Sequence, residues 1–350
     1  MRVGAMAENV FETMGLMAGM VPTPFVDTVP TVGLARTVMV ATRLGVFEAL
    51  AAGPAGAAEV AVRCGTDARA TGKLLNALTG ADYVRPDGDG RFALSPASRK
   101  WLLRDSPQSL YQHTLFLFVV QGWVEHYEEF VRTGRPVDMH QGMKDAEWAL
   151  YQGAMRELAT FTAQEVALRA PVPGGARDML DIGGSHGFYS VSICRRRPTL
   201  RATVLDLPEA VRHAAPILAR EEMGDRVVHR AADAVTADLG TNAFDFVFIG
   251  NLLHHFDAET NRDLTRRITR ALRPGGVFAA FEVLRPRVPQ AVGQMEILAD
   301  LFFAVTSKSG TWSAEEIAGW QRDAGLVPQR ARRMLTAPGF GLQAARKPRG

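Results

Sequence analysis

From Arg177 onward the chain adopts a new period. Strand candidates at residues 177–182, 202–206, 226–231, 244–250 and 276–283 alternate with helical or loop segments. Parallel strands produce this pattern, because the return crossover between them takes a dozen or more residues, usually a helix. The expected domain is therefore α/β, a parallel sheet with helices on both faces. Two final runs, "GLVPQRARRML" and "GFGLQAARK", have no helix between them. The sheet is expected to end in an antiparallel hairpin.

The first 170 residues are organised differently. "LARTVMVATRLGVFEAL", residues 34 to 50, has apolar positions three and four apart and stops at Gly53-Pro54, which predicts an amphipathic helix. Two short helices follow, joined at Gly65, with Asp67 as N-cap of the second. The run Asp87-Gly88-Asp89-Gly90 then predicts a hairpin. Helices followed by a hairpin is the winged-helix order. Residues 107–170 are helical in pattern and rich in aromatics, and "APVPGGARD", residues 170 to 178, is the clearest linker. The expected organisation is a winged-helix domain at 1–110, a helical connector at 111–170 and an α/β domain at 171–350.

Composition excludes several classes. Cys64 and Cys194 lie far apart and give no disulfide framework, and the histidines lack zinc-ligand spacing. No metal is expected. Residues 1–20 carry Glu8 and Glu12 and lack a basic start before an apolar core, which argues against a secretory signal. No apolar run reaches membrane-spanning length, so a cytoplasmic protein with no membrane partner is expected. Arg330, Arg332, Arg333, Arg346, Lys347 and Arg349 close the chain without an acidic residue and read as a solvated edge strand. A nucleic-acid patch needs aromatics and more basic residues on one face.

The loop after the first α/β strand carries the chemistry. It reads Asp181-Ile-Gly183-Gly-Ser185-His-Gly187, and Asp206 closes the next strand. Glycines let backbone approach a ligand, and a carboxylate at the second strand end can accept both ribose hydroxyls of an adenosine compound. NAD and S-adenosylmethionine share that feature. Dinucleotide folds run an apolar strand into GxGxxG and leave a helix N-terminus free for pyrophosphate. An anion at Asp181 repels pyrophosphate but suits the ammonium of a methionine moiety, so S-adenosylmethionine is the expected cofactor. Asp233, ending the third strand, can reach the adenine amine.

These residues, with "LGVFEAL", "GRFALSP", "LHHFDAE", "LRPGG" and "FEVLRP" in order, resemble the two-domain S-adenosylmethionine-dependent O-methyltransferases of plant and bacterial natural-product pathways. The resemblance runs nearly end to end. It implies a Rossmann-like methyltransferase domain, an N-terminal winged-helix module that forms a homodimer, and helices roofing a pocket for a small-molecule acceptor. His254 falls on the family's general base and Glu282 on the glutamate that orients it. The cofactor set implied is Asp181, Gly183, Ser185, Gly187, Asp206, Asp233 and Asn251. Trp123, Tyr151, Met155, Met295, Phe302 and Thr311 are the acceptor-pocket candidates.

Three positions depart from the family. Ser185 replaces a central glycine, Thr311 replaces a second glutamate flanking the base, and Gly250-Asn251 replaces a lysine or aromatic. The expected reaction is O-methylation of a hydroxylated aromatic or polyketide-like molecule. The alternatives are N- or C-methylation, or a hydroxylase, decarboxylase or pericyclase on the same scaffold. A winged-helix DNA-binding regulator is the remote alternative. Residues 45–105 hold eight basic and seven acidic residues, and the recognition helix offers only Arg69 and Lys73. That is too little charge to neutralise several phosphates, so no nucleic-acid partner is expected.

Overall fold

The structure, a computed structural model, describes residues 4, 6–285 and 293–349. Pro286, which ends "FEVLRP", lies outside them. The chain forms two compact units, Arg2–Phe118 and Val119–Gly350.

The first unit contains α1 (Val10–Met17), α2 (Thr23–Arg43), α3 (Val46–Ala49), α4 (Ala57–Cys64) and α5 (Ala68–Gly80). The hairpin β1 (Val84–Asp87) and β2 (Arg91–Leu94), then α6 (Pro96–Trp101), complete it. Asp67 caps α5 by accepting the Ala70 N–H at 2.8 Å, and the hairpin pairs Val84 with Leu94, as the sequence predicts. The helix expected over 34–50 is two helices. Gly45 at φ +77° breaks it, and α2 starts eleven residues earlier. Phe25, Val29 and Val32 on its first half are exposed, so they carry no core-facing period to read.

Helix α7 (Tyr111–Val124) crosses the unit boundary. The second unit continues with α8 (Tyr127–Thr133), α9 (Asp145–Arg169), β3 (Asp178–Ile182), α10 (Phe188–Arg195), β4 (Arg201–Asp206) and α11 (Pro208–Ala219). Next come β5 (Val227–Ala231), β6 (Phe244–Gly250), α12 (Ala258–Ala271), β7 (Leu272–Val283), α13 (Gln294–Thr306) and α14 (Ala314–Asp323). Strands β8 (Val327–Pro328), β9 (Arg332–Arg333) and β10 (Phe340–Arg346) end the chain.

The sheet order is β5-β4-β3-β6-β7-β10-β8, with β9 also paired to β10. Strands β3 to β7 are parallel neighbours, and β10 runs antiparallel to β7, β8 and β9. Alternate residues sort onto two buried faces. Phe246, Phe248, Val277 and Ala279 join one core cluster, and Val247, Ile249, Phe278 and Ala280 join the other. Burial on both faces is what makes these strands read as continuous apolar runs. The strand order reverses between β3 and β6, so the loops after those strands flank the switch point at the carboxyl edge, where open α/β sheets bind ligands.

Candidate active site

The loop after β3 is glycine-rich because two of its positions demand it. Gly183 sits at φ +67°, and a Cβ there would lie 2.8 Å from the Leu252 side chain. A Cβ on Gly184 would lie 2.6 Å from the Asp181 carboxyl carbon. Ser185 also takes a positive φ, +52°, which an L side chain adopts only when its surroundings hold it. Three hydrogen bonds do so. Its N–H donates to Asp206 Oδ2 at 2.7 Å, its carbonyl lies 2.8 Å from His229 Nε2, and its hydroxyl donates to Gln152 Oε1 on α9.

This loop and the loop after β6 enclose a cavity roofed by α9. Gly183, Ser185, Asp206, Asp233, Asn251 and Tyr151 line it, six of the residues singled out from the sequence. Asp206 is held by the Leu207 and Ser185 N–H groups, and burial raises its pKa to about 6 against the pull of those bonds. Burial and the neighbouring Asp206 carboxylate keep the Tyr151 phenol protonated. Asn251 sits at φ +57°, and its buried Oδ1 has no hydrogen-bond partner among the described residues.

Asp181 occupies a different place from the one its motif suggested. It is 1% exposed and does not line the cavity. Its Oδ2 accepts from the Ser190 hydroxyl at 2.6 Å. Burial raises its pKa to about 7, the Ser190 bond opposes this, and Asp206 adds to it. A carboxyl beneath the loop is a poor partner for a ligand ammonium. Gly187, at φ +73°, starts α10 and is also off the cavity wall.

The second cluster lies one turn past β6. Glu282, near the end of β7, is 2% exposed and His254 is 3% exposed. Glu282 Oε1 accepts the N–H groups of Leu252 and Leu253, each at 2.8 Å. Its Oε2 lies 3.0 Å from His254 Nδ1. A carboxylate that already accepts from two amides requires Nδ1 to carry the hydrogen, which leaves the Nε2 lone pair free. The ring stacks on Phe303 at 3.8 Å between centroids and packs 4.2 Å from His255. Stacking covers a ring face, whereas the Nε2 lone pair points in the ring plane. His254 itself is off the cavity wall and packs against His255, which is on it; the His255 ring bonds Ser307 Oγ at 2.9 Å.

The acceptor-side candidates spread out. Trp123 meets Phe302 at 6.4 Å, Phe302 meets Phe303 at 5.4 Å, and so the row reaches His254. Met155 is partly buried and off the cavity wall, and Met295 on α13 is 47% exposed. Thr311 is buried, with both its N–H and hydroxyl directed to Asp300. It anchors α13.

No sequence motif singles out His140 or Gln152, and His255 and Trp148 read as packing residues, yet all four line the cavity. Burial lowers the His140 pKa to about 4 and that of His255 well below the ordinary range, so both are neutral near pH 7. Trp148 and Gln152 share a helix with Tyr151 and could have been found from helical spacing. His140 precedes α9 in an irregular segment and gives no periodic signal.

The site fits an adenosine ligand on its own features. Asp206 keeps acceptor capacity facing the cavity, Gly183 makes room for close approach, and Asn251 offers an orphaned acceptor. The family model for the O-methyltransferase domain matches residues 122–326, and that for the O-methyltransferase dimerisation domain matches residues 34–104. The chain belongs to the O-methyltransferase family. As a member it is an S-adenosylmethionine-dependent methyltransferase. It is 28% identical over 346 residues to a 3-hydroxy-5-methyl-1-naphthoate 3-O-methyltransferase of Streptomyces sahachiroi, covering 93% of this chain and 95% of that one. A 3-amino-4-hydroxybenzoate 4-O-methyltransferase of Streptomyces cremeus is 30% identical, covering 72% and 71%. Among solved structures, human N-acetylserotonin methyltransferase in complex with SAM shares the fold, with TM-score 0.81, 19% identity and coverage of 99% and 100%.

Proposed function

We propose that this O-methyltransferase transfers a methyl group to the hydroxyl of an aromatic small molecule, with His254 as general base. The observation that carries the reading is the Glu282–His254 pair at 3.0 Å, which fixes the imidazole with Nε2 available. Removing the hydroxyl proton as the new bond forms is general-base work, suited to imidazole. When bound, S-adenosylmethionine supplies an electrophilic methyl group. The chain's own residues do the rest. Asp206 accepts the ribose hydroxyls, Asp233 faces the adenine end, and Glu282 keeps the His254 ring in one tautomer. The row from Trp123 through Phe302 to Phe303 suits a flat acceptor. Relatives support this class, since the two Streptomyces enzymes named above act on a hydroxynaphthoate and a hydroxybenzoate.

A second reading, N-methylation, has one specific support. An N,N-dimethyltransferase of Streptomyces rimosus is 27% identical, covering 90% of this chain and 93% of that one. An amine acceptor that arrives unprotonated has no need of a general base, so the buried His254–Glu282 pair favours oxygen. Assaying paired phenol and aniline acceptors of one ring system separates the two readings; methylation of the aniline alone overturns the first.

A homodimer belongs to the same reading. Its supports are the dimerisation-domain match and the exposed Phe11, Met14, Met17, Phe25 and Val29 on α1 and α2, more apolar surface than a monomer ordinarily leaves wet. Light scattering should give twice the 38.1 kDa of one chain, and a monomer mass contradicts the dimer.

A further inference from the structure

Two amide side chains on the cavity wall each leave one buried polar atom without a partner among the described residues: Gln152 Nε2, a donor, and Asn251 Oδ1, an acceptor. Gln152 is fully buried. Its Oε1 is occupied by the Ser185 hydroxyl, so the amide orientation is set and Nε2 is the atom left over. Asn251 is held at φ +57°, with its backbone N–H donating to Phe281 O at 2.9 Å. An unpaired buried donor or acceptor costs about 1–3 kcal/mol. Two at one cavity call for a ligand that repays both.

We infer that these amides read the amino-acid end of the cofactor, Gln152 Nε2 donating to its carboxylate and Asn251 Oδ1 accepting from its ammonium. The inference rests on S-adenosylmethionine occupying this cavity. A zwitterion needs one donor and one acceptor wall. The carboxylates of Asp206 and Asp233 only accept when ionised, so they cannot serve a carboxylate ligand. With Asp206 taken by the ribose hydroxyls and Asp233 by the adenine end, and with Asp181 beneath the loop and off the wall, the ammonium is left to Asn251. Ser185 is then a positioning residue. Its hydroxyl, absent from a glycine, ties the α9 roof to the loop and orients the Gln152 amide.

The test is calorimetric affinity for three ligands: S-adenosylmethionine, its decarboxylated analogue, which keeps the ammonium, and 5′-methylthioadenosine, which lacks both groups. Gln152→Met keeps the volume and removes the donor. It should weaken S-adenosylmethionine roughly 10–100-fold, the scale of a hydrogen bond to a charge, and leave the other two ligands within about twofold. Ser185→Ala should give a smaller loss with the same ligand selectivity. Asn251→Gly tolerates the positive φ; it should weaken both ammonium-bearing ligands and spare 5′-methylthioadenosine. Equal losses for Gln152→Met on the first two ligands, or no loss, overturn the assignment of Gln152. An Asn251→Gly loss extending to 5′-methylthioadenosine overturns that of Asn251. If the unmodified protein binds none of the three, the failure lies with the cofactor reading instead.

Discussion

The two carboxylate oxygens of Glu282 do separate jobs for His254: Oε1 fastens the loop through two backbone amides, and Oε2 receives the Nδ1 hydrogen at 3.0 Å. Glu282→Gln tests that division. The glutamine oxygen satisfies the Leu252 and Leu253 amides, so its NH₂ group faces Nδ1. Nδ1 must then accept, the hydrogen moves to Nε2, and the base is lost. Turnover should fall roughly 10²–10⁴-fold with cofactor affinity unchanged. Long-range nitrogen–proton NMR should show the tautomer reversed. Turnover near that of the unmodified enzyme contradicts the arrangement.

Cofactor affinity should depend on pH through Asp206. Burial lifts its pKa to about 6, and ribose hydroxyls donating to the carboxylate favour its ionised form. Affinity is therefore full above about pH 6 and falls as the pH drops through that value. Calorimetry at pH 5 and pH 7.5 should show weaker binding at pH 5, with proton release near pH 6. In Asp206→Asn the pH dependence should disappear, and affinity should drop by ~1–3 kcal/mol. A pH-independent affinity in the unmodified protein removes Asp206 from the site.

Asp181 makes the opposite kind of prediction, about the fold. Its native pKa is raised from the ordinary 3.8 to about 7, so the native state retains a proton that the unfolded chain has already lost. The stability it contributes is full below about pH 4 and is lost as the pH rises to about 7. Asp181→Asn cannot ionise. Its melting temperature relative to the unmodified protein should be higher at pH 8 than at pH 4.5, an effect of roughly 1–4 kcal/mol. A pH-independent difference contradicts the burial account.

The sheet could be read from the sequence because both faces of its central strands β6 and β7 are covered, which makes them near-continuous apolar runs. The edge strand β5, VVHRA, is mostly exposed and gives a weaker signal. The hairpin at its end was legible from the missing helix. Strand parity could have placed Asp181 as well. Met179 and Asp181 share one face of β3, and Met179 lies in the core cluster beside α10, so a side chain two residues on points inward too. The motif suggested a ligand contact, but the period argued for burial. Thr311 was readable only as a missing charge, since its partner Asp300 sits eleven positions away on another element. Gln152 was hidden by Tyr151 beside it, because an aromatic attracts notice that an amide does not. His140 had no period to betray it.

The most direct measurement is single-turnover methyl transfer from methyl-deuterated S-adenosylmethionine to a panel of hydroxylated aromatics, with the unmodified enzyme and His254→Ala side by side. The account predicts the label on oxygen, one S-adenosylhomocysteine per product, and a His254→Ala rate lower by ~10²–10⁴-fold at unchanged cofactor affinity. Near-normal transfer by His254→Ala, or a label found on nitrogen or carbon, contradicts it.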